Sequence, residues 1–149
     1  MSFGVLRKEY QNSFPVNRIV RNALTGMSAG LCLVLPLSTV ADAPQVLFVD
    51  LEHRGNAWTA HVTVRHSDTG WDHYADAWRL VDTHGTVLGT RTLYHPHETE
   101  QPFTRSLPGI SIPEEVGEIE VQAHDKVHGW GEKVRIPLAP GEGEVYRVR

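Results

Sequence analysis

From Ala57 to His66 the chain reads AWTAHVTVRH, in which Trp58, Ala60, Val62 and Val64 alternate with Thr59, His61, Thr63 and Arg65. A period of two marks a strand with one face turned to a core and the other to water. The pattern recurs. In EIEVQAHD, Ile119, Val121 and Ala123 alternate with Glu118, Glu120 and Gln122, and in KVRIPL, Val134, Ile136 and Leu138 share one side. With QVLFVDLE, YADAWRLVD, TVLGTRTLY and PFTRSL the candidate strands number seven. No helical period, internal repeat or low-complexity block competes with them. Turn signals separate them at Arg54-Gly55-Asn56, Thr83-His84-Gly85, Pro108-Gly109 and Gly129 to Gly131. Short strands without intervening helices predict an all-β fold, an immunoglobulin/fibronectin III-like antiparallel β-sandwich of about seven strands.

That domain is expected over residues 44–140, followed by residues 141–149 as a C-terminal tail or a last edge strand. Residues 1–43 read differently. Arg7, Lys8, Arg18 and Arg21 precede the apolar run ALTGMSAGLCLVLPLSTVADA, which ends in small residues. Basic region, apolar centre and small-residue exit make a signal peptide, with cleavage after Ala41 or Ala43. A lipid anchor on Cys32 is the competing reading. Pro36 and an apolar stretch shorter than the ~20 residues of a span argue against a retained membrane helix. The expectation is an exported protein, periplasmic or secreted, with no stable membrane span in its mature form.

Cys32 is the chain's single cysteine, so the part that follows offers neither a disulfide nor a thiolate ligand. From Pro44 onward ten basic residues stand against sixteen acidic ones. That balance excludes nucleic acid as a partner, because its binders present a basic face. All nine histidines also lie in this part. If the strands run alternately up and down, the connections HSDTGWDH, HPHETEQ and HDKVHGWG meet at one rim. They carry His66, His73, His95, His97, His124 and His128 together with several carboxylates.

Neutral imidazole and carboxylate are ligands for zinc, copper(II), iron(II) and manganese, and loops on a rigid sandwich can converge on one ion. The candidate metal ligands are His66, His73, His95, His97, Asp125 and His128. Asp68, Asp72, Glu98, Glu100 and His124 stand as alternative ligands or as acceptors that orient the imidazoles. Trp71, Trp130 and Arg105 complete the rim surface, where the tryptophans either wall the site or offer an aromatic face to a ligand. Trp58 and Trp78 fall in strands and are expected to pack in the core. Against this reading, Asp-Thr-Gly and Asp-Lys-Val-His-Gly are also ordinary turn sequences whose polar side chains bond to their own loops.

The stretches HPHETEQ and HDKVHGW resemble the rim loops of superoxide reductases of the desulfoferrodoxin type. Those loops read roughly His-Pro-Met-x-x-Glu-His and Cys-Asn-x-His-Gly on a small immunoglobulin-like sandwich. His95, Pro96 and Glu100 match the first motif, and His128 and Gly129 match the second. Gln101 stands at the position of the second histidine and Asp125 at that of the cysteine, so the thiolate on which that chemistry depends is missing. The resemblance implies the sandwich and a metal-bearing rim, without the reductase activity. The mature part also resembles small exported bacterial β-sandwich proteins.

The expected function is that of an exported protein binding a transition metal, copper or zinc ahead of iron, as a carrier or accessory protein with a metal ion or a periplasmic protein as partner. The alternative is a metal-free protein- or glycan-binding module that uses the same rim. A metal-dependent enzyme is the third reading. No serine nucleophile elbow, phosphate loop or helical zinc-protease spacing is present, so no catalytic residue is assigned.

Overall fold

The computed structural model describes residues 42–149. All but the last two residues of the expected signal peptide, Cys32 among them, lie outside the described residues. Ten strands and no helix make up this part: β1 (Gln45–Arg54), β2 (Ala57–Arg65), β3 (Ala75–Asp82), β4 (Val87–Thr92), β5 (Phe103–Ile110), β6 (Glu118–Asp125), β7 (Gly129–Trp130), β8 (Val134–Pro137), β9 (Gly141–Glu142) and β10 (Tyr146–Val148). They form two sheets. One has the order β5-β2-β1-β10-β9, and the other β4-β3-β6-β7 with β8 also paired to β6. Every pairing is antiparallel except β1 with β10. The result is the expected all-β, immunoglobulin/fibronectin III-like sandwich.

Alternation builds the core. Ala60, Val62 and Val64 of β2, Trp78 and Leu80 of β3, and Ile119, Val121 and Ala123 of β6 are all fully buried between the sheets. In β1 a bulge between Val46 and Phe48 shifts the inward phase, so Val46 before it and Val49 and Leu51 after it face the core. Trp58 packs at the edge of this cluster with its ring stacked on His53 at 4.5 Å.

Two expected turns are strand. Pro108 and Gly109 lie inside β5, where a register shift opposite Trp58 and Ala60 forms a bulge and Gly109 takes a φ of +74°. The Gly129–Gly131 stretch supplies β7. Residues 141–149 contribute β9 and β10, the latter parallel to β1, with Leu51 opposite Val148. Arg149 clamps that end by donating to both carboxylate oxygens of Asp50. No helix among the described residues is long and apolar enough to cross a membrane.

Candidate metal centre

Two strands end in phase with the core. His66 follows Val62 and Val64 on the inward side of β2, and Asp125 follows Val121 and Ala123 on that of β6. The sheets therefore deliver an imidazole and a carboxylate to the same end of the sandwich. Both side chains are fully shielded from solvent. A buried charge is tolerated only when it is paired or bonded, and Asp125 is both. Its Oδ1 accepts from the backbone N–H groups of Val127 and His128 at 2.6 Å each, and its Oδ2 lies 3.1 Å from His128 Nδ1. Burial alone would raise its pKa, but the two N–H groups and the imidazole together hold the carboxyl below its ordinary value.

This geometry comes from a tight hairpin. Asp125 pairs with Gly129 across three residues, and Gly129 closes the loop at a φ of +80°, a conformation that suits glycine. The carboxylate thus serves the turn through one oxygen and leaves the other turned inward. His73 arrives from the connection between β2 and β3, which is folded by the bonds Thr69 N–H to His73 O (2.9 Å) and His73 N–H to Gly70 O (3.2 Å).

One ligand atom each from His66, His73, Asp125 and His128 lie within 4.8 Å of one another. His66 Nε2 is 3.7 Å from Asp125 Oδ2, and His73 Nε2 is 4.0 Å from Asp125 Oδ1. Both of these imidazole nitrogens are buried and have no hydrogen-bond partner. In tetrahedral zinc, bonds of 2.0–2.1 Å place neighbouring ligand atoms roughly 3.3 Å apart. Closing the group around an ion therefore requires side-chain movements of about an ångström. Three imidazoles and one carboxylate are a donor set for zinc or copper(II).

The other residues expected at the rim fall around this group or away from it. Asp68, fully shielded, accepts from His66 Nδ1 at 2.6 Å, from Ala75 N–H at 3.0 Å and from His97 N–H at 2.6 Å. His97 stands outside the four-residue group. Its ring is buried, stacked on Phe103 at 3.9 Å, and neither nitrogen has a partner. Burial, helped by the nearby charges of Arg105 and His95, lowers its pKa. His95 is exposed, with its ring 4.7 Å from that of His97. Asp72 and Glu98 are exposed. Glu100 receives both terminal nitrogens of Arg105, at 3.1 and 2.8 Å.

His124 is out of phase with the core and bonds Asp76 at 2.5 Å on the outer face of its sheet. Trp130 lies on that same face, beneath the guanidinium of Arg79 at 3.8 Å. Trp71 is 65% exposed on the loop that carries His73. One contributor carries no signal of its own in the sequence. Gln101 accepts from His66 N–H at 3.1 Å and donates to His97 O at 3.2 Å, tying the HPHETEQ loop to His66.

No protein-family model matches the chain. A protein of Halomicrobium mukohataei named "Putative lipoprotein" is 42% identical over 82 residues, which is 55% of this chain and 40% of that protein. The chain thus spans well under half the length of that relative. Among solved structures, a superoxide reductase (1Fe-SOR) from Giardia intestinalis aligns with a TM-score of 0.41 and 16% identity, over 63% of this chain and 99% of that one. That likeness is too loose to carry any inference about chemistry.

Proposed function

We propose that the sandwich holds one transition-metal ion, zinc or copper(II), on His66, His73, Asp125 and His128, and acts as an exported metal carrier or accessory protein. One observation carries this reading: two buried imidazole nitrogens without partners, on His66 and His73, both turned toward a buried carboxylate. Leaving a buried polar atom unpaired costs about 1–3 kcal/mol, and here two such atoms share a single neighbour. A cation between them relieves both at once. The relative named as a lipoprotein supports export or membrane attachment, as does the order of residues 1–43. Loading the purified protein with zinc, dialysing and counting metal tests the site. About one equivalent retained, with a raised melting temperature, is the expected result. Less than a tenth of an equivalent, with no thermal shift, refutes it.

A second reading has its own observation. Trp71, Tyr94 and Val127 are large apolar side chains left 65%, 76% and 59% exposed on the three connections that meet at this end. Exposed loop aromatics serve protein or glycan recognition, so the same rim supports a metal-free binding module. Retention of a partner by the protein stripped of metal, and its loss in Trp71→Ala, distinguishes this reading from the first.

A further inference from the structure

The carboxylate of Asp68 has no place among the four candidate ligands, yet it is fully shielded and bonded on both oxygens. Oδ1 accepts from His66 Nδ1 and Ala75 N–H, and Oδ2 accepts from His97 N–H. It thereby joins the end of β2, the start of β3 and the loop between β4 and β5. Its chemistry also fixes a proton. An ionised carboxylate can only accept hydrogen bonds, so in the His66–Asp68 pair the hydrogen must sit on His66 Nδ1. In the neutral ring Nε2 is then a bare lone pair, and it is the Nε2 atom that faces Asp125 without a partner.

We infer that Asp68 is the positioning residue of the centre. It holds His66 in the one tautomer, and the one ring orientation, that offers Nε2 to a metal. This rests on the metal reading above for its purpose but not for its geometry. Metal-bound histidines generally donate their second ring N–H to such an acceptor, and losing that acceptor costs 10–100-fold in metal affinity. The HPHETEQ loop takes part from outside the group. His97 N–H holds Asp68 Oδ2, while Gln101 braces His66 N–H, so the loop fixes the carboxylate and the imidazole relative to each other without contributing a ligand.

Two measurements on the full chain test this. In the metal-free protein at about pH 7.5, long-range proton–nitrogen correlation spectra of the His66 ring are expected to show hydrogen on Nδ1. Asp68→Asn keeps the shape but can satisfy the three donors only in part. Its spectra are expected to show Nε2–H for a substantial fraction of His66, and its zinc affinity is expected to fall 10–100-fold while circular dichroism stays that of the wild type. A purely structural role would lower the melting temperature and leave the tautomer unchanged. Hydrogen on Nε2 in the wild-type protein overturns the inference, as does an Asp68→Asn variant that binds zinc within twofold of wild type. Should that variant fail to fold, the wild-type tautomer decides alone. If the wild type binds no zinc but carries hydrogen on Nδ1, the metal reading falls and the role of Asp68 in fixing His66 stands.

Discussion

His66 Nε2 and Asp125 Oδ2 face each other across 3.7 Å, with both side chains shielded from water. In the neutral ring, with its hydrogen on Nδ1 toward Asp68, the two atoms are acceptors directed at one another, and in a dry site such a pair repels. Asp125→Asn separates the two duties of the carboxylate. The amide oxygen can go on accepting from Val127 and His128 while the amide nitrogen turns toward His66. The metal-free variant is expected to lose about 1 kcal/mol or less, since Asn gives up the charge that the turn favours while keeping an acceptor for its N–H groups, and to lose at least tenfold in zinc affinity. Melting curves with and without zinc check both. A large fall in metal-free stability with zinc binding intact would leave Asp125 a turn residue only.

The fold and half of the candidate site were legible for the same reason. Alternation in β2 and β6 predicts which residues are inward, and carrying that phase one step further picks out His66 and Asp125. The same phase rule places His124 on the outer face, where it bonds Asp76. Histidine content alone does not separate the candidate ligands from their neighbours. His95 and His97 share one short motif, yet one is exposed and the other is stacked on Phe103 outside the four-residue group, because a loop has no fixed period. The pairing of Asp68 with His66 spans two residues and is local enough to expect. The contact of Gln101 with His66 spans thirty-five residues and depends on how two loops close.

Zinc binding is expected to weaken as the pH falls. Imidazole must be neutral to ligate, and its ordinary pKa of about 6.5 places protons in competition with metal just below neutrality. The zinc-induced rise in melting temperature should be larger at pH 7.5 than at pH 5.5, because a protonated imidazole must give up its proton before it can ligate. An equal rise at both values would mean that the ligands are not histidines.

His97 has a separate pH signature. Its folded pKa is depressed, chiefly by burial, so the unfolded chain takes up the proton first. The stability from keeping this ring neutral is present above about pH 6.5 and is lost as the pH falls from there through the folded value. Both ring nitrogens lack partners, so an apolar ring forfeits no hydrogen bond. His97→Phe is expected to stabilise the protein by about 1 kcal/mol near neutrality and by more at pH 5, with zinc retention unchanged. Chemical denaturation at both pH values measures it. A gap that does not widen on acidification would show that His97 is not held neutral by the fold.

Gly131 tests how the chain enters the domain. A Cβ placed there would collide with the backbone carbonyl oxygen of Pro44, the residue before β1, and would lie 3.6 Å from the carbonyl oxygen of Ala123. The collision is with main chain, so no side-chain rotation removes it. Gly131 also donates its N–H to Ala123 O at 2.8 Å, which fixes it against β6. The segment bearing Pro44 must therefore be the part that yields. Gly131→Ala is expected to cost about 1–3 kcal/mol and to expose the chain around Pro44 to protease while the β6–β7 hairpin stays protected. Limited proteolysis with mass mapping reads the first cut, and hydrogen exchange reads the hairpin. Wild-type resistance near Pro44 in the variant would mean that the contact is made loosely enough to accommodate a methyl group.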